Sequence, residues 1–366
     1  MTLHPVPPLR ASRRAQLTWL VVLAATTACS SEPSAYQGPT GREVMQSTID
    51  HTVVPGFVAF REAAEGLRAG AEGFCEAPGW ERLESLQGDW RALSTAWYAV
   101  AHYNIGPLDD DVVTPRILFI ESMRQRGTDY TNTVREAYAA ALGSGATIDA
   151  AYVESLSFNQ VGLLALEVLI FEDGSASRSR VLEDIAEDYA SEPRKCAYPR
   201  GVAERLAGDA VAVESGWTES FGGKGAFRDT MLGAALDDGR EPVVGLLIAL
   251  QKHLDYLRVR KLDAILDAQL SGHFYANVAA MLQALEDLLE QPTPESAVGI
   301  FDYMIARGLE GDVELVRANL AAARAAAATE DRAALSVAIG LLDGHMKREI
   351  PAGIGVDLGL NFSDGD

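Results

Sequence analysis

Cysteine is scarce, with three residues in 366, at Cys29, Cys75 and Cys196. There is no CxxC pair and no Cys/His cluster, so a zinc site built on thiolates is not encoded. HExxH is absent, and with it the local motif of a zincin-type peptidase. GxSxG is absent too, and no serine, histidine and acid group together, which leaves Ser/His/Asp catalysis without support. Alternating β-branched runs bounded by turn residues are missing, except near Ile354 to Phe362. Positive charge is short as well: 31 Lys and Arg stand against 52 Asp and Glu, a net charge of -21. Such a surface repels phosphate backbones and excludes nucleic acid as a natural partner. It tolerates cations or basic patches on a partner, and acidity is equally a common solubility device. Beyond the N-terminus no apolar run approaches the ~20 residues that span a bilayer.

What is present begins with export. Arg10, Arg13 and Arg14 precede the apolar run from Leu17 to Ala25, and the small residues Thr26-Thr27-Ala28 follow. A basic segment, a short apolar core and a small-residue site make a secretory signal over residues 1–28. Thr26-Thr27-Ala28-Cys29 resembles a bacterial lipobox, with Thr26 where Leu is usual. Ordinary cleavage with an incidental cysteine is the other reading. Lipidation at Cys29 is the expectation, because a diacylated cysteine followed by a polar tether over 29–42 is a coherent anchor. Ser30 is not Asp, which leans toward the outer membrane, facing the periplasm. An oxidising compartment allows a disulfide between Cys75 and Cys196, and lipidation of Cys29 would leave these two as the only pair.

The rest reads as helix. Hydrophobic residues make up 48% of the chain, enough for a real core. Helical spacing predicts helices over Val44–Leu67 (with a kink at Pro55), Trp80–Tyr103, Arg116–Met123, Thr128–Leu142, Ser157–Phe171 and Arg194–Ser220. Trp90 and Trp97, seven apart, share one face. Further helices are predicted over Pro242–Leu270, His273–Leu289, Pro294–Arg307, Asp312–Ala328 and Asp331–Arg348. The glycine-rich stretch Gly222-Gly223-Lys224-Gly225 separates two groups, about 43–221 and 226–366. The fold class is therefore all-α, two packed helical bundles with a groove between them.

One carboxylate stands in a very apolar helix, Glu167 in Gly162-Leu163-Leu164-Ala165-Leu166-Glu167-Val168-Leu169-Ile170-Phe171. A buried acid must be paired, hydrogen-bonded, metal-bound or neutral. A structural hydrogen bond or ion pair is the plain reading, and a ligand the functional one. His51, His102, His253 and His273 have no partner at a convincing local spacing. His345 and Glu349, four apart, read as a solvated surface contact. Asp109-Asp110-Asp111 would attract a hard cation or simply be solvated. Aromatic residues at helical spacing, Trp97 and Tyr198 among them, are either core or pocket wall.

Taken in order, several pieces of the chain resemble the imelysin family. They are Val53-Val54-Pro55, Phe74-Cys75, Trp90 with Trp97, Gly106-Pro107 and Arg116-Ile117. Then come Gly162 with Ala165-Leu166-Glu167 and Leu169-Ile170-Phe171, Cys196-Ala197-Tyr198, Trp217, and Arg258 with Lys261-Leu262. The tail Gly359-Leu360-Asn361-Phe362-Ser363-Asp364-Gly365-Asp366 completes the set, so the resemblance covers about residues 43 to 366. It implies two four-helix-bundle-like halves with a pocket between them, in a periplasmic or surface protein of a kind often linked with iron acquisition. The family was named for an insulin-cleaving metallopeptidase. Its members often carry a GxHxxE pattern read as a metal site, but here Leu164 stands at the histidine position, and a borderline metal wants nitrogen or sulfur donors beside carboxylate.

The resulting expectation is a lipid-anchored, non-enzymatic binding protein of the cell envelope associated with iron acquisition. Glu167 and Arg116 would supply polar groups in the groove, Arg116 reaching Glu167 if the family geometry holds, with Trp97 and Tyr198 as walls. Iron or another divalent metal is the expected cofactor class, with Glu167 its weak candidate ligand. The membrane is met only through the anchor, and an iron-uptake partner at the envelope is the expected protein contact. The alternatives are a metal-dependent peptidase, or an outer-membrane scaffold without a small ligand.

Overall fold

The computed structural model describes residues 38–122, 128–172, 181–262 and 268–358. The signal, Cys29, most of the tether, Met123 and the tail from residue 359 lie outside the described residues. Every regular element among those described is helical, as the sequence predicts.

α1 (Gly41–Thr48) starts at a reciprocal cap, in which the Thr40 hydroxyl accepts from the Glu43 N–H and the Glu43 carboxylate accepts from the Thr40 N–H. Two orphan donors of the first turn are thereby satisfied. A π-helical turn, Ile49–Val53, follows and runs into α2 (Val54–Glu76). Pro55 thus stands in the first turn of α2 instead of kinking the middle of one long helix. Its missing N–H is harmless at that place, and the wider turn before it absorbs the break. α3 (Trp80–Tyr98) ends earlier than the spacing predicts and passes through turns into the Gly106–Leu108 segment.

α4 (Arg116–Ile120) and α5 (Thr131–Gly143) lead to α6 (Ala150–Glu154), which the apolar pattern does not reveal. α7 (Gly162–Phe171) is the apolar helix. Gly162 has φ +80°, and a Cβ there would lie 2.5 Å from the carbonyl oxygen of Ile120. Only glycine allows this entry, and so α7 begins at residue 162 and not at Ser157. α8 (Leu182–Ser191), also unforeseen, precedes α9 (Ala197–Thr218). α10 (Phe227–Met231) lies between α9 and α11 (Pro242–Tyr256), which continues as a second π-helical turn, Leu257–Lys261. The remaining helices are α12 (Phe274–Glu290), α13 (Ile300–Ile305), α14 (Glu310–Ala328), α15 (Arg332–Lys347) and α16 (Glu349–Ile354). Asp331 caps α15 by accepting from the Ala334 N–H at 3.0 Å. Residues 355–358 form no strand, contrary to the extended reading near Ile354.

In the first half α2 lies between α3 and α9, and α7 packs on both α3 and α9. In the second half α15 packs on α11 and α14, and α14 on α12. The halves meet where α3 lies against α12. One continuous apolar core runs through both. Trp90 and Trp97 are buried on the shared face that their seven-residue spacing predicts. Cys75 at the end of α2 is bonded to Cys196 at the start of α9, with Cα atoms 5.5 Å apart. This disulfide ties together α2 and α9, two helices that pack directly on each other.

Candidate functional site

Where the halves meet, the core turns polar. Ser94 and Tyr98 lie one turn apart on α3, and His102 follows at the same four-residue step. Opposite them, His253 and Lys261 lie eight apart on α11 and its π-helical continuation. Asn277 on α12 donates to the Ser94 hydroxyl at 2.7 Å, and Thr95 bonds His273 at 2.9 Å. The Lys261 ammonium donates to the Tyr98 hydroxyl at 2.8 Å, lies 4.1 Å from the Tyr98 ring centroid and forms an ion pair with Glu121. Glu121 also accepts from the Trp97 indole N–H at 2.6 Å. Glu167, 2% exposed, accepts from the Ser271 backbone N–H at 2.9 Å.

Burying a lysine completely is costly unless the charge is paired and its donors are used. Lys261 is 0% exposed and meets that condition through a carboxylate, a phenol and a ring face. Glu121 and Glu167 border a cavity of about 20 Å³ together with Trp90, Tyr98, Ser122 and Leu164. That volume holds about one water-sized species. Its polar donors are carboxylate, phenol and hydroxyl oxygens, which suit a hard cation. Leu164, in the place where the family pattern has histidine, brings an apolar side chain to the same cavity.

The remaining expected site residues lie elsewhere. Arg116 donates to Asp209 at 2.6 Å and pairs with Asp110 at 3.0 Å, in a separate cavity with Glu154 and Arg205. It is held there because α4 packs on α9, which carries Asp209. Burial pushes the Asp209 carboxyl upward, against the pull of Arg116 and Arg205. The expected reach from Arg116 to Glu167 is therefore corrected. Trp97 and Tyr198 are fully buried, and neither lines the cavity at Glu167. Trp97 still positions Glu121 through its indole. Tyr198 donates to the Gln160 carbonyl at 2.9 Å and stacks edge-on against Tyr138.

The histidines divide into two kinds. His102 and His253, remote in sequence, place their ring centroids 6.0 Å apart deep in the core. Nε2 of His253 has no hydrogen-bond partner, and the Tyr98 backbone carbonyl is the one group that pulls on the His102 ring. Burial pushes His102 down to about 3 and His253 well below its ordinary value, so both are neutral. His345 corrects the solvated-surface reading, because it is 3% exposed. Its Nδ1 lies 2.9 Å from Glu349 and its Nε2 2.8 Å from Asn319. The acidic run is spent on its own loop. Asp110 pairs with Arg116, and Asp111 accepts from the Val113 and Thr114 N–H groups.

Glu121, Tyr98 and Lys261 are the site residues that periodicity passes over. The one local signal is Glu121 itself, a lone acid closing the apolar run Ile117-Leu118-Phe119-Ile120. Among the described residues no group of three His, Cys, Asp or Glu side chains is placed to hold a metal ion. With no imidazole at position 164 and an ammonium already beside Glu121, the residues in place do not fit the resident metal of a peptidase.

A family model described as Imelysin matches residues 53–354. Two solved structures share the fold. An imelysin-like protein from Psychrobacter arcticum 273-4 has a TM-score of 0.67 and 17% identity, over 88% of this chain and 99% of that one. A protein from Parabacteroides distasonis ATCC 8503, designated an iron-regulated protein A precursor, has a TM-score of 0.57 and 13% identity, over 85% of this chain and 97% of that one. No curated protein matches in sequence.

Proposed function

Starting from the fact that this chain belongs to the imelysin family, we propose that it is a non-enzymatic binding protein of the cell envelope that serves iron acquisition. Its cargo site is the seam at Glu121 and Glu167. The observation that carries this reading is the buried Lys261 ammonium, held by Glu121 and Tyr98. The interior is built to stabilise one positive charge where the two halves meet. A hard cation entering the neighbouring cavity would find the Glu121 and Glu167 carboxylates and the Tyr98 oxygen, with Lys261 displaced as the resident cation. The family and the iron-regulated relative favour iron as that cation. The signal-like N-terminus and Cys29 favour export and lipid anchoring at the outer membrane, facing the periplasm. Among the described residues no helix is long and apolar enough to cross a membrane, which is compatible with a lipid anchor.

The test is a titration of the full chain carrying Cys29→Ser with ferrous, ferric and zinc ions. One iron per chain is expected, bound at least about tenfold more weakly by Glu167→Ala, the loss of roughly one charge-assisted contact. No binding above that of a control protein would sink direct iron recognition. Stoichiometric zinc with chelator-sensitive cleavage of a peptide would instead support a metallopeptidase.

A further inference from the structure

A second, mostly apolar cavity lies away from the seam. It has a volume of about 410 Å³ and lies among α1, the loop after α10, the start of α11, α13 and the end of α16. Cavities of this size commonly take small organic ligands. Its walls are apolar, with Met45, Met231, Val243, Leu246 and Ile300 among them. Four polar side chains, Arg42, Thr48, Glu241 and Tyr303, interrupt that surface. Thr48 is 1% exposed, and its hydroxyl has no hydrogen-bond partner. That oxygen is closed off from the cavity space by its neighbours, so the polar handle at the mouth is Arg42. Arg42 is exposed at the mouth, and its one hydrogen bond is to the Leu232 carbonyl at 2.9 Å.

Both residues lie on α1, six apart, so their Cα atoms are separated by about 9 Å along the helix. Side chains lean toward the helix N-terminus, which carries the guanidinium further out. We propose that this cavity binds an amphipathic organic acid of medium chain length. The carboxylate sits on Arg42 at the mouth, and the apolar chain fills the interior. Charge decides the head group. On a protein of net charge -21, a mouth arginine with donors to spare is a local invitation to an anion. Arg42 is the one cation and Glu241 an anion among the lining residues, so a second acid group on the ligand would add repulsion with no second cation to meet it. The site shares no residue with the seam, and it stands or falls independently of the iron reading.

Isothermal titration of the full chain carrying Cys29→Ser tests this with two probes. Decanoate is expected to bind saturably at one per chain, and decyltrimethylammonium, of equal tail length and opposite charge, not to bind. Arg42→Ala should weaken decanoate at least about tenfold. Val243→Phe, which fills the cavity from a half-buried wall position, should abolish binding while the melting temperature stays near that of the parent. Absence of saturable decanoate binding, equal binding of the ammonium probe, or indifference to Arg42→Ala would each overturn the assignment.

Discussion

The two halves build their cores from different materials. All five tryptophans of the chain precede the glycine-rich stretch at Gly222, and four of the five lie within the first half. There Trp97 packs on Phe60 and Trp217 stacks on Phe57, while the Cys75–Cys196 bond ties α2 to α9. The second half relies on leucine and alanine, as in α14, where Leu320, Ala323, Ala326 and Ala327 face inward. Large rings bring polar edges into a core, and two of these edges find acceptors at the seam side of the first half. Trp90 uses the Leu163 carbonyl and Trp97 uses Glu121. The aromatic half thus fixes the seam carboxylate, and the aliphatic half contributes the lysine that neutralises it. The lesson is that the site is made by the union of the halves, because neither carries both charges.

The strongest way to break this comparison is to remove one charge of the pair. Lys261→Met should destabilise the protein by about 3–5 kcal/mol in urea unfolding, because Glu121 is left buried without its cation. Combining it with Glu121→Gln should restore much of the loss. If the single substitution costs no more than a surface change, the seam is not the coupling element. Replacing both Cys75 and Cys196 with alanine should cost about 2–5 kcal/mol, since the bond closes a long loop and constrains the unfolded chain. That loss should appear as earlier opening of α2 and α9 in hydrogen exchange, with the second half following only at global unfolding.

The histidine pair sharpens the comparison through pH. His102 and His253 are neutral in the folded state, while in the unfolded chain each takes up a proton below about pH 6.5. From there down toward pH 3 the unfolded chain binds more protons, so stability falls as pH falls. The slope should approach a tenfold loss in the folding constant per pH unit for each histidine. Equilibrium unfolding between pH 7 and 5 would show it, and His102→Phe should flatten the curve by about half. An unchanged slope in that variant would place the acid sensitivity elsewhere. Trp97→Phe should have the smallest effect, about 1.5–3 kcal/mol from one lost hydrogen bond to a charged acceptor. It should also weaken iron binding while leaving decanoate binding unchanged.

Much of the fold was legible because periodicity and caps are local. The shared face of Trp90 and Trp97 and the helical spans from Asp312 to Ala328 and from Asp331 to Arg348 all follow from neighbours within a turn or two. Pro55 was misplaced because the same sequence serves the interior of one helix or the start of another, and the π-helical turn that decides between them is a tertiary accommodation. α6 and α8 escaped because short amphipathic segments give too few repeats. At the site, Glu167 was visible as an acid in an apolar helix. Arg116 was drawn instead to Asp209 by the packing of α4 on α9, and His345 was buried by its neighbours rather than by its own helix. Glu121, Tyr98 and Lys261 were passed over because the 24 to 163 residues between partners carry no local signal.

Anomalous diffraction at the iron edge, from crystals of the full chain carrying Cys29→Ser and soaked with iron, tests the central claim most directly. The account predicts a single peak within coordination distance of the Glu121 and Glu167 carboxylates, with the Lys261 ammonium moved off Glu121. A peak at another place in the chain, or an ion pair left intact in a protein saturated with iron, would contradict it.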